Sequence, residues 1–324
     1  MDFEKKFAQE YNHALVTGGA GFIGSHIVEK LLKLGLKVTS IDDYSTGKEE
    51  NIQHLYSMPG FTSIRADVTE IGKIKKYFKG VDIVFHHACS KNTVCMIDPA
   101  RDLEVNAKGT LNVLICSLNE RISKFIHAST GSVYGEPFLL PTNEDHPLLP
   151  VSYYGISKLA GEKYVKLFNT LHGLDITILR YYHVYGPRQD SSEFGGVVSI
   201  FCRRAHKGKN LIIFGDGTQV RSFTHVHDIV RINLLAAVKK EMSGKAYNCA
   251  SGIRISIQEL AEAVLNHYGN KDLKIKYAPW KPGDIKNFDV DNRRLLSNGF
   301  AFSKQFDEGL SEMVNWTSEF VNKK

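Results

Sequence analysis

The chain has 324 residues, 43% of them hydrophobic and 23% charged, enough to bury one large α/β core or two of ordinary size. No apolar run reaches the roughly 18 residues that a membrane-spanning helix needs, which excludes a helical membrane protein. The formal charge of +6 and a sequence pI near 8.9 suit an anionic partner. The densest basic stretch (Arg203, Arg204, His206, Lys207, Lys209) has no nucleic-acid module signature beside it and reads as a solvated helix end.

The charged opening MDFEKKFAQEYN predicts a short extra helix rather than a signal peptide. His13–Thr17 is a buried-type strand that runs straight into Gly18-Gly-Ala-Gly-Phe-Ile-Gly24. Residues 24–34 have helical spacing, with Ile27, Leu31 and Leu34 on one face. A second apolar run, Lys37–Ile41, ends at Asp42-Asp43, and further runs at 61–66, 81–86, 122–128 and 174–180 read as strands between helical stretches. Strand alternating with helix predicts an α/β fold, a Rossmann-type doubly wound parallel sheet. From about Tyr181 the texture changes to loops with charged tips, a helix over 195–207, Gly215-Asp-Gly217, and helices near 256–268 and 307–322. The segment 246–249 is a candidate to return as a strand to the first sheet. The division is a dinucleotide-binding domain over 1–180 and a smaller, interleaved substrate-binding domain over 181–324.

The glycine loop satisfies two patterns, Gly18, Gly21 and Gly24 at spacings of three and Gly19-x-Gly21-x-x-Gly24. Glycine allows the tight turn and lets backbone N–H groups approach a pyrophosphate at a helix N-terminus. A glycine pattern alone is weak. Here it follows a strand, opens a helix, and has an acid at the end of the next strand. Asp42 is that acid. Its carboxylate is placed to accept from ribose hydroxyls and to repel a 2′-phosphate, so NAD is expected rather than NADP. Phe22, Ile23, Asp43, Asp67, Val68, Ala88 and Lys158 complete the expected cofactor contacts, with Asp67 at the adenine edge.

Tyr154-Gly-Ile-Ser-Lys158 sets a phenol and an ammonium on one helix face. YxxxK alone is usually an exposed helix face; its meaning here depends on Thr130, in Ser129-Thr-Gly-Ser-Val-Tyr-Gly135 after an apolar strand. Taken together, TGGAGFIG, the acid, STGSVYG, YGISK and RYYHVYGPRQD resemble the extended short-chain dehydrogenase/reductase family, and within it the nucleotide-sugar 4-epimerases. The resemblance spans roughly residues 13–318.

The resemblance implies that Tyr154 takes the proton from a sugar 4-hydroxyl while hydride passes from C4 to NAD. Thr130 orients that hydroxyl, and the 4-keto sugar turns over before hydride returns to its other face. A free tyrosine has a pKa of about 10, so a base near pH 7 needs about 4 kcal/mol of help, which Lys158 and the nicotinamide charge are expected to supply. The 4,6-dehydratases carry an Asp-Glu pair where this chain has Gly131 and Ser132, and the decarboxylases carry an acid at Ser132. The 3,5-epimerases use a cysteine in this segment, and none is present. Epimerisation at one carbon remains, or simple oxidation or reduction there.

For the substrate, the resemblance implies that Arg221 grips a sugar diphosphate, which a guanidinium recognises as a bidentate fork, and that Lys91 lies near the sugar. His183 stands for the usual Asn, Lys281 for the usual Arg beside Asp284, and Phe288 where relatives tune room for the 2-substituent. The bulk of Phe288 resembles enzymes preferring unmodified hexoses. A UDP-hexose of the glucose/galactose type is the expected partner, with a homodimer joined through helices near 100–117 and 154–170. The rival readings are a C4 dehydrogenase or ketoreductase with exchangeable NAD(H), and a dinucleotide-sensing protein without turnover.

Five scattered cysteines without a CxxC pair predict neither zinc nor a disulfide framework, and a reducing, cytoplasmic setting. His225-Val-His227-Asp228, read as a strand, puts two histidines on one face but supplies no third ligand, so no metal is expected. His86-His87, Cys89 and Cys95 are expected to pack rather than ligate or react.

Overall fold

The computed structural model describes residues 3–90, 92–192, 195–280 and 289–321. Seven strands build one sheet: β1 (His13–Thr17), β2 (Lys37–Asp42), β3 (Phe61–Arg65), β4 (Ile83–His86), β5 (Lys124–Thr130), β6 (Ile176–Tyr181) and β7 (Ala246–Cys249). Their order is β7-β6-β5-β4-β1-β2-β3, and every pairing is parallel. The first three strands step one way and the next four the other, so the direction reverses between β1 and β4. A crevice opens at the carboxyl ends of strands on either side of such a reversal. The central strands are continuous apolar runs because helices cover both faces. The run at 246–249 does rejoin the sheet, pairing Ala246 with Ile178 and Cys249 with Tyr181.

One face is covered by α1 (Phe3–Glu10) and α2 (Phe22–Lys33), the other by α3 (Thr110–Asn119) and α4 (Tyr153–His172). The extra helix α1 is tied down by the fully buried Phe7. Lys6 Nζ donates to Val238 O at 2.8 Å, and the Tyr11 hydroxyl to Ala237 O at 2.8 Å. Ser152 caps α4 by accepting from Gly155 N, and Gly173, at φ 70°, ends it in the left-handed conformation that glycine adopts without strain. Three further helices, α5 (Val197–His206), α7 (Ile257–Tyr268) and α8 (Phe306–Val321), gather a separate apolar cluster around Phe201, Leu260 and Leu310. Among the described residues, no helix is long and apolar enough to cross a membrane.

One local reading needs correction. His225-Val-His227 is not an alternating strand: His225 ends the two-residue strand Thr224–His225 and caps α6 (Val226–Val238), where its ring accepts from His227 N. The Asp228 carboxylate accepts from Ser303 N and Lys304 N, as a first-turn acid held by backbone donors. The helix before β5 is also not uniform. Pro99–Leu103 passes into a π-helical segment, Glu104–Gly109, before α3 begins. Such wide turns often mark functional sites.

Candidate active site

The loop between β1 and α2 is closed by contacts that leave no room for side chains. Gly18, at φ +68°, donates from its N–H to Ile41 O at 2.8 Å. A Cβ on Gly18 would lie 2.7 Å from Ala88 N, and one on Gly24 would lie 2.1 Å from Gly18 O. Gly21 sits at the N-cap of α2, and no side chain caps the helix there. Its first-turn N–H groups are therefore available to an anion. Gly18, Gly21, Phe22, Ile23 and Gly24 line a cavity of about 410 Å³, together with Asp42, Asp43, Asp67, Val68, Ala88 and Lys158. A cradle with no room for an added Cβ, running from a helix N-terminus to the buried Asp42, fits a dinucleotide.

At the end of β2, Asp42 is 7% exposed. It accepts from Ala20 N at 2.9 Å and Tyr44 N at 2.8 Å. Burial pushes its carboxyl up, against the pull of those two donors. Asp43 and Asp67 share one partner that the sequence did not reveal. Arg101 Nη2 lies 3.1 Å from Asp43 Oδ2 and 2.7 Å from Asp67 Oδ2.

The other end of the cavity is lined by Thr130, Tyr154, Lys158, Tyr181 and His183. Lys158 is 3% exposed and donates to Ala128 O at 2.6 Å; burial pushes its pKa down. Burial also drives the Tyr154 phenol well above its ordinary value, opposed by a hydrogen bond with the Thr130 side chain. The protein's own surroundings therefore favour the neutral phenol. Tyr154 needs added positive charge in the cavity to reach the phenolate. His183, at φ 36°, is pushed down to about 3 by burial and by the nearby Arg221 charge.

Behind this end lies a buried hydrogen-bonded set. Asp102 accepts from Ser157 Oγ at 2.5 Å and from Asn106 Nδ2 at 3.0 Å. Asn106 Oδ1 accepts from Ser90 N at 2.9 Å. Glu162, on α4, takes both Nε and Nη2 of Arg180 at 2.9 and 2.7 Å, and the Ser129 hydroxyl at 2.6 Å. The helix that carries Tyr154 and Lys158 is thus fixed to the strand that carries Thr130. Gly131, next to Thr130, faces Tyr182, where a Cβ would lie 2.3 Å from Tyr182 Cε1.

The substrate candidates are less gathered. Arg221 is buried on the short strand Val220–Ser222 but does not line this cavity. Lys91, Lys281, Asp284 and Phe288 lie outside the described residues. His86 packs as expected, held between Thr17 Oγ1 at 2.7 Å and Thr110 Oγ1 at 2.9 Å. Cys95 is buried, but Cys89 lines the cavity rather than packing away from it. All five cysteines are free thiols. Among the described residues, no group of three His, Cys, Asp or Glu is placed to hold a metal ion.

Comparison with known proteins agrees with this geometry. Residues 14–250 match the model of the NAD dependent epimerase/dehydratase family. A Methanocaldococcus jannaschii protein, provisionally named UDP-glucose 4-epimerase, is 38% identical over 93% of this chain and 97% of its own. The UDP-N-acetyl-alpha-D-glucosaminuronate decarboxylase of Bacillus cytotoxicus is 32% identical over 95% of this chain and 98% of its own. The crystal structure of Thermotoga maritima UDP-glucose 4-epimerase with UDP-glucose superposes with a TM-score of 0.90 at 34% identity, covering 95% of this chain and 99% of that one. The chain belongs to the NAD-dependent epimerase/dehydratase family, within the extended short-chain dehydrogenases/reductases, and its cofactor is NAD.

Proposed function

We propose that this enzyme is a nucleotide-sugar 4-epimerase that inverts C4 of a UDP-hexose of the glucose/galactose type through a transient 4-keto sugar. The observation that carries the reading is the packing of Tyr182 on Gly131. That contact excludes a side chain at residue 131, and Thr130, Tyr154 and Lys158 line the cavity with no acid at residues 131 and 132. Elimination and decarboxylation relatives have their acids at those positions, so chemistry at a single carbon is what this set can perform.

In this reading residues 1–180 hold NAD and residues 181–324 hold the nucleotide sugar. The glycine loop and the α2 N-terminus take the pyrophosphate, and Asp42 takes the adenosine ribose hydroxyls. Bound NAD supplies reversible hydride exchange at the sugar carbon. Tyr154 removes and returns the proton of the 4-hydroxyl, and Thr130 orients that hydroxyl through the same hydrogen-bonding reach it has to the phenol. Lys158, anchored on Ala128 O, keeps a cation beside the phenol and offers donors to a ribose. Arg221 takes the sugar diphosphate beyond the cavity.

The homodimer of this reading is supported by α4, where Tyr153, Ile156, Tyr164, Leu167 and Leu171 are all exposed, as is Leu103 on the neighbouring segment. Contiguous apolar exposure of this kind marks an interaction surface.

The test is incubation of purified protein with UDP-glucose, UDP-galactose and their N-acetyl counterparts, without added cofactor, followed by NMR of the sugar. Interconversion of 4-epimers is the expected outcome. Net keto sugar stoichiometric with NADH would mean a dehydrogenase, and binding without chemical change would mean a sensor.

A further inference from the structure

Arg101 stands at the adenosine end of the cavity, on the short helix Pro99–Leu103, whose cap Asp98 accepts from Arg101 N at 2.9 Å. One of its nitrogens bridges Asp43, just past β2, and Asp67, just past β3. Neither carboxylate is free to turn away. Asp43 Oδ1 accepts from Ser45 N at 2.9 Å and Ser45 Oγ at 2.6 Å. Asp67 Oδ1 accepts from Thr69 N at 2.8 Å. The two acids therefore fix the guanidinium in one orientation, and all three residues line the cavity. A guanidinium also presents a planar face that stacks on aromatic rings, as a purine would require. Without Arg101 the Asp43 and Asp67 carboxylates in that wall would repel each other unscreened.

The residue after Arg101 faces the opposite way. Asp102 is fully buried and is held by Ser157, between Tyr154 and Lys158 on the catalytic helix, and by Asn106. Arg101 thus reaches the cofactor end from a backbone pinned at the catalytic end.

We propose, resting on the cofactor site described above, that Arg101 is a strap across the adenosine half of NAD, a positioning residue that slows the cofactor's departure so that NAD stays through many turnovers. The strap joins three chain segments at the rim, with the Arg101 side chain 30% exposed. Its ion pairs are therefore open to screening by salt.

The experiment loads the full-length protein with isotopically labelled NAD and measures loss of label against excess unlabelled NAD, at low and high salt. Wild type, Arg101→Ala and Arg101→Lys are compared, with circular dichroism to verify folding. The expected result is release about tenfold faster or more in Arg101→Ala, the scale of losing a charge-assisted contact. Arg101→Lys should be intermediate, and salt should speed release from wild type but not from Arg101→Ala. Release from a folded Arg101→Ala within about twofold of wild type would overturn the proposal. If Arg101→Ala does not fold, Arg101→Lys decides: wild-type release with unchanged salt response overturns the strap, and faster release supports it. The readout needs no sugar. Failure to invert any nucleotide sugar would end the epimerase reading and leave the strap standing, whereas unaltered release would end the strap alone.

Discussion

Tyr182 closes over Gly131 so tightly that an added Cβ would lie 2.3 Å from one ring carbon and 2.6 Å from another. The ring is 3% exposed, and its hydroxyl points toward Asn248 Oδ1 at 3.4 Å. Gly131→Ala should therefore lower stability by about 1–3 kcal/mol, the usual cost of overpacking a filled core. Gly131→Asp should do so without creating a dehydratase. Urea unfolding checks the first expectation, and a search for 4-keto-6-deoxy product checks the second. A variant as stable as wild type would mean that the ring yields.

Tyr154→Phe removes the proton-transfer group but keeps the ring. Turnover should fall by about 10²–10⁴-fold, the ordinary contribution of general acid–base catalysis. NAD should still co-purify with the variant. Near-normal turnover would sink the assignment of Tyr154 as base.

Burial holds His87 near 3 and holds His86 and His127 well below their ordinary value. An unfolded histidine titrates near 6.5. Below that pH, down to about 3, the unfolded chain binds protons that the folded chain refuses, so stability falls as the solution is acidified. His127 is the most expendable of the three. Neither ring nitrogen has a hydrogen-bond partner, and the ring stacks 5.5 Å from that of His86. His127→Phe should therefore match or exceed wild-type stability at pH 7.5 and lose less on moving to pH 5. Urea midpoints at the two pH values decide it; equal losses would contradict the linkage.

Glu162 and Arg180 form a buried pair, each 1% exposed in its side chain. Glu162→Gln leaves the guanidinium short of its counter-charge, at a cost of about 3–5 kcal/mol. It also weakens the tie to Ser129 beside Thr130, so activity should fall with stability. Denaturant unfolding alongside an activity assay tests both, and a change within 0.5 kcal/mol, roughly the scatter of surface substitutions, would contradict the role.

The sheet was legible because its strands are short apolar runs bounded by glycine and acid, and because the β1-loop-α2 signal sets the topology. Every cofactor candidate named from the motif lines one cavity. Arg101 was not legible: its two partners lie 58 and 34 residues away, and no motif marks it. The π-helical segment Glu104–Gly109 has no sequence signature, and the Tyr182 ring over Gly131 is a contact that only folding makes. The strand reading of His225-Val-His227 failed because three residues of alternation cannot be told from a helix start. The surroundings of the Tyr154 phenol were hidden in another way. Spacing places Lys158 beside it, but says nothing of the burial that raises the phenol and depresses the lysine.

The central claim is that hydride leaves one sugar carbon and returns to that same carbon. UDP-glucose deuterated at C4 tests it most directly, with the product followed by NMR and mass spectrometry. The expected product is UDP-galactose that retains deuterium at C4. Deuterium found at C6 of a deoxy sugar, or lost to a free NADH pool, would contradict it.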